Sequence, residues 1–123
     1  MNPMSAQLRL LNETRDNVLV EDLQIAKTPW SKMKGLLGRD RLEEDTGLLI
    51  EFSHSIHMFF MNFPIDVVYL DRNLIVENIV HGLQPWGISS HRGAAHVLEI
   101  AAGHAEAREL KTSDKLKIEH LEN

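Results

Sequence analysis

Asp66 follows Pro64-Ile65 and leads into Val67, Val68, Tyr69 and Leu70, which are apolar at every position and so read as a strand buried on both faces. A carboxylate there costs several kcal/mol unless it is paired, hydrogen-bonded or protonated. Its candidate partners are Asn62, the amides of the Asn62-Phe63-Pro64 turn, His57 and Arg39. If a hairpin over 56–66 sets residue 61 opposite 65, then 60 faces 66 and 57 faces 69, and His57 and Asp66 fall on opposite faces; a one-residue slip brings them together. Asp66 with His57 would make an acid–base or ligand-orienting pair. Asp66 as a cap on turn amides is the purely structural alternative.

Glu99 interrupts the apolar run HVLEIAA and is a third candidate, since two carboxylates converging on one cavity support acid–base work. The structural alternative is a carboxylate at the edge of a solvated face. Trp86, between Pro85 and Gly87, is either a lid folded over the core or a contact residue for a ligand or a protein. Met61 and Asn62 complete a candidate binding set with His57, Asp66 and Trp86.

Other chemistry is poorly supported. Seven histidines, at 54, 57, 81, 91, 96, 104 and 120, include no H-E-x-x-H pair, and His54 and His57 at a spacing of three diverge on a strand. A site assembled from His57, His81 and His91 is the alternative; no metal is expected. Ser53, Ser55, Ser89 and Ser90 lie outside any G-x-S-x-G elbow. Zero cysteines remove thiol catalysis and thiolate metal sites. No cofactor motif is present. Lys27, Lys32, Lys34, Arg39 and Arg41 form a local basic stretch that reads as a solvated helix face, with anion binding as the alternative.

The elements that must position these residues are mostly strands. Residues 7–11 and 18–26 alternate around the turn NETRDN, as a hairpin does. Thr28-Pro29 followed by Trp30, Met33 and Leu37 at helical spacing predicts a short helix ending at Gly38, with Trp30 in the core. The runs 47–52, 56–61, 65–71 and 74–82 predict four further strands. Residues 81–95, with three glycines and a proline, predict a long loop; 96–102 predicts a strand, 103–110 a helical turn and 115–120 a last strand. The fold class expected is α+β, predominantly β: a curled antiparallel or mixed sheet or small barrel with one or two short helices, in a single domain over 1–123.

The apolar runs are far shorter than the roughly 18 residues of a membrane span, and the N-terminus lacks a basic flank and apolar h-region. A cytoplasmic protein without a membrane partner is expected. Eighteen acidic against thirteen basic residues give a net charge of −5, which opposes a nucleic-acid partner.

The ordered segments GLLGRDRL (35–42), GLLIEF (47–52), IHMFFMNFPIDVVYLD (56–71), HGLQPWGIS (81–89), HVLEIAAG (96–103) and TSDKLKI (112–118) together resemble a bacterial and archaeal family of unknown function, numbered 192. The most specific part runs from His57 through Met61, Pro64 and Asp66 to Asp71, followed by Val97-Leu98-Glu99 and Gly103. The resemblance implies a β-rich domain and brings no established activity, substrate or cofactor. Two departures matter: relatives have Trp-Met-Lys where this chain has Phe60-Met61-Asn62, and Gly-Asp where it has Ser113-Asp114. The first removes a cation. The second puts serine where glycine would take a positive φ freely, at a strain of roughly 1 kcal/mol unless the turn differs.

The function these residues point to is non-catalytic binding of a small ligand or protein segment, in a groove near the 56–66 hairpin and the 81–91 loop. The alternatives are a small acid–base enzyme using Asp66, His57 and Glu99, and a structural protein assembling through its sheet edges.

Overall fold

A computed structural model describes residues 7–26, 41–59 and 61–121. The helix expected at 28–38, Trp30 and most of the basic stretch lie outside these residues. Among the described residues are ten strands and one short helix: β1 (Gln7–Asn12), β2 (Asn17–Val20), β3 (Asp22–Ala26), β4 (Thr46–Glu51), β5 (Ser55–His57), β6 (Ile65–Leu70), β7 (Val76–Leu83), β8 (Ile88–Ser90), β9 (His96–Ala101), α1 (His104–Ala107) and β10 (Leu116–Leu121). The class is predominantly β, as expected, in open sheets.

The central sheet has the order β3-β4-β9-β6-β7, with β3 parallel to β4 and the other neighbours antiparallel. Every residue of β6 and β9 is buried, which explains why IDVVYL and HVLEIA carry apolar side chains on both faces. On one face Val68, Leu70, Leu98 and Ile100 pack with Leu10, Leu19 and Leu116 of a three-stranded sheet ordered β10-β1-β2, and with Ala105 of α1. On the other, Ile65, Val67, Tyr69 and Val97 pack with Ile56, Met58, Met61 and Phe63. Burying each such large side chain contributes about 1.5–3 kcal/mol.

Three expected elements are corrected. The strand read over 18–26 is two, β2 and β3 in different sheets, because the chain breaks at Glu21 where the amides of Glu21 and Asp22 both donate to the Asp45 carbonyl. The 56–66 hairpin does not form: β5 pairs with β8, and β6 pairs with β7 and β9. Between β5 and β6 the side chains of Met58, Met61 and Phe63 all enter the core, so the alternation a hairpin strand requires is lost. The 81–95 loop is partly strand, with β7 running to Leu83 and β8 at 88–90. The turn between them closes through the Gly87 amide on the Gln84 carbonyl at 2.9 Å, and a Cβ on Gly87 would meet that same oxygen at 2.9 Å, so only glycine fits.

Ser113 has a φ of 74°, so the turn keeps the left-handed backbone that glycine would take without strain. Relief of about 1–2 kcal/mol of αL strain exceeds the extra unfolded-state entropy of glycine. Ser113→Gly is therefore expected to stabilise the chain by roughly 0.5–1 kcal/mol. The check is a higher urea midpoint at unchanged slope; an unchanged or lower midpoint would show that the turn has other constraints.

Candidate functional site

Asp66 is fully buried on β6, and three backbone amides occupy its carboxylate. Oδ1 accepts from Gly82 at 2.9 Å, and Oδ2 from Gly103 at 3.0 Å and Ala105 at 3.1 Å. Gly82 and Gly103 have φ of 65° and 88°, so both depart from strand geometry where their amides turn to the carboxylate. The donors come from β7 and the start of α1, not from the Asn62-Phe63-Pro64 turn, and Asn62 is exposed. Asp66 thus ties a neighbouring strand and the helix to the centre of the sheet.

Glu99 is fully buried on β9 opposite Val67 and Leu48. That register places it on the Tyr69 face, whereas Asp66, alternating with Val67, lies on the Val68 face. The sheet itself separates the two carboxylates, and they share no cavity. The Tyr69 hydroxyl donates to Ser89 Oγ at 2.6 Å. Burial raises the pKa of Tyr69; the Ser89 hydrogen bond opposes this and the charge of Glu99 adds to it.

His57 ends β5, in the ribbon on the Tyr69 side, so it too is separated from Asp66 by the sheet. Its ring lies against Phe59, with centroids 4.7 Å apart and planes at 34°, and Phe59 lies against Trp86 at 5.8 Å and 30°. Backbone bonds clamp the three together: the Trp86 amide donates to the Met58 carbonyl and the Met58 amide to the Gly87 carbonyl, each at 2.7 Å. Trp86 is held at a φ of 66° yet is 57% exposed; Phe59 is 41% exposed, and Ile88, which pairs with His57, is 71% exposed. Tryptophan in the left-handed region costs about 1–2 kcal/mol, a strain that persists only where the surroundings impose it.

Of the five candidate binding residues, His57 and Trp86 meet through Phe59; Met61 is buried in the core, Asn62 is exposed and Asp66 is on the far face. Beyond the spacing of two between His57 and Phe59, nothing in the sequence singles out Phe59 and Ile88 as members of this surface.

Three other histidines, at 104, 96 and 91, have partners within the scaffold. His104 Nε2 donates to the Leu19 carbonyl at 2.6 Å, and His96 Nδ1 accepts from the Phe52 amide at 3.1 Å. His91 stands 3.6 Å from Glu77 and packs on Tyr69. Among the described residues no three His, Asp or Glu side chains group so as to hold a metal ion. One open cleft of about 520 Å3 lies between Leu42–Asp45 and Phe63, Pro64 and Ala101; another of about 420 Å3 is bordered by Asn78, His81, Glu106 and Lys111. Neither includes the aromatic cluster. No described helix is long and apolar enough to cross a membrane.

The fold and site define a small β-rich domain that presents an aromatic surface on a two-stranded ribbon. Residues 10–118 match DUF192, the family described as uncharacterised ACR, and the chain belongs to it. It is similar to a UPF0127 protein of Thermococcus sibiricus, with 26% identity over 115 residues that cover 89% of this chain and 74% of the relative. Two crystal structures share the fold. One, from Sinorhizobium meliloti 1021 and named as a candidate transcription regulator, has a TM-score of 0.76 and 23% identity, with 91% of this chain and 92% of that one covered. The other, a protein of unknown function from Novosphingobium aromaticivorans, has a TM-score of 0.72 and 21% identity, with 90% and 83% covered. Neither the family nor these relatives brings an assigned activity for the chain.

Proposed function

We infer that this protein is a non-catalytic binding domain that holds an extended apolar protein segment on the surface formed by His57, Phe59, Trp86 and Ile88. The observation that carries this reading is the contact of the exposed Phe59 and Trp86 rings with each other and with half-buried His57, on a clamped backbone strained at Trp86. Rigid aromatic side chains bury large areas at small entropic cost, and tryptophan is prominent among binding hot spots. The exposure of Phe59, Trp86 and Ile88 marks a projecting surface, which suits a protein segment better than the concave pocket that encloses a small molecule. Asp66 and Met61 serve the scaffold in this reading. An acid–base role for Asp66 finds no support, because both its oxygens already accept backbone amides. The net charge of −5 speaks against a nucleic-acid partner, and the cytoplasm remains the compartment we propose.

A displayed library of random peptides, panned against the chain, tests this. Enriched peptides are expected to be apolar and aromatic, and Trp86→Ala and Phe59→Ala are each expected to raise the Kd at least about tenfold, near 1.4 kcal/mol. Both variants should stay folded, with urea midpoints lowered by no more than the loss of their ring contacts, about 0.5–1.5 kcal/mol each. Enrichment of nothing, or a Kd indifferent to both substitutions, would overturn the reading.

A further inference from the structure

We propose that Tyr69 is a positioning residue for the aromatic surface, acting through Ser89; this rests on the binding function inferred above. The ribbon that carries the surface has three residue pairs, Ser55 with Ser90, Ile56 with Ser89 and His57 with Ile88. Two strands of that length are marginal without an anchor. Ile56 and Met58 anchor the ribbon in the core, but apolar contact is non-directional and does not define which residue of β8 faces which of β5.

The Tyr69–Ser89 bond supplies that definition. Tyr69 sits on a central strand with both faces covered, so its hydroxyl is a rigid, buried reference point, and a 2.6 Å bond to Ser89 marks one position of β8. A slip of β8 by one residue would replace the hydroxyl of Ser89 with the side chain of Ile88 or Ser90 turned to the other face, and would strand a buried phenol. It would also move Gly87 and Trp86 against Met58, undoing the two 2.7 Å backbone bonds that hold the rings in contact. The ring of His91, 5.5 Å from that of Tyr69, braces the same segment at the residue directly after β8, where the His91 amide donates to the His54 carbonyl. A phenol is protonated across the neutral range and burial raises its pKa further, so the donor persists there.

The test combines amide hydrogen exchange with peptide affinity in the full chain, using Tyr69→Phe, Ser89→Ala and the double variant. Ser89 is only half-buried, so Ser89→Ala keeps the test open should Tyr69→Phe fold poorly. In each single variant the Trp86 and Met58 amides are expected to exchange about tenfold faster while β1 and β10 amides keep their rates, and a library-selected peptide should bind about five- to tenfold more weakly. The double variant should be no worse than either single one, the mark of one shared interaction. Unchanged exchange at Trp86 and Met58, faster exchange throughout the chain, or faster local exchange with an unchanged Kd would each overturn the proposal. A wild-type chain that selects no peptide overturns instead the binding function on which it rests, and is recognised before any variant is made.

Discussion

Replacing Asp66 by alanine is expected to cost about 3–5 kcal/mol of stability, a large share of the total for a domain of this size. Three backbone amides, from Gly82, Gly103 and Ala105, lose their acceptor at once, and those of Gly82 and Gly103 belong to residues with positive φ that no regular ladder serves. Each buried donor left alone costs about 1–3 kcal/mol. Asp66→Asn is the more informative variant. Its one remaining oxygen can serve the Gly103 and Ala105 amides, but its NH2 group then meets the Gly82 amide, donor against donor, for a loss of about 1–3 kcal/mol. Urea unfolding of both variants checks the order. If Asp66→Asn unfolds at the wild-type midpoint, the Gly82 bond contributes nothing, and the carboxylate would have to be explained by function.

The second large effect is expected at Asp114, which is buried where the β1–β2 turn meets the start of β10. Its Oδ2 accepts from Asn12 Nδ2 at 2.9 Å, Arg15 Nε at 2.8 Å and the Lys111 amide at 2.9 Å. Burial by itself would raise its pKa, but the three hydrogen bonds and the charge of Arg15 together outweigh burial and hold the group below the usual carboxylate range. The sign follows. The folded pKa is depressed relative to about 3.9 in an unfolded chain, so the stabilisation is fully present above the unfolded value and is lost as pH falls through the folded one. Asp114→Asn is therefore expected to be about 2–3 kcal/mol less stable than wild type at pH 7, with a gap that narrows once the pH drops below about 4. Denaturant titrations at several pH values measure the gap, and a gap that stays constant into acid would show that the charge on Asp114 is not what stabilises this corner.

Much of the scaffold was legible because it is local. The apolar run of β6 is buried on both faces, as its pattern demanded, and the positive φ at Ser113 is the one a glycine would have relieved. The partners of Asp66 were not legible. They lie 16, 37 and 39 residues away, on segments whose only mark is a glycine, and glycine signals a turn without saying which way its amide will point. The hairpin expected over 56–66 was not legible as absent, because a short strand followed by buried residues at 58, 61 and 63 pairs across the fold with β8 and not along the chain with β6.

Hydrophobic period, turn residues and composition by themselves determined that this chain forms a β-rich domain with a doubly buried central strand, because those signals act over a few residues and burial rewards them wherever the strand is placed. Which face each carboxylate occupies, and which aromatic side chains gather at the surface, only the tertiary structure decided. A one-residue shift in register moves every side chain to the opposite face, and register is chosen by contacts between segments far apart in the chain. Those contacts set Glu99 and Asp66 on opposite sides of the sheet and brought Phe59 between His57 and Trp86.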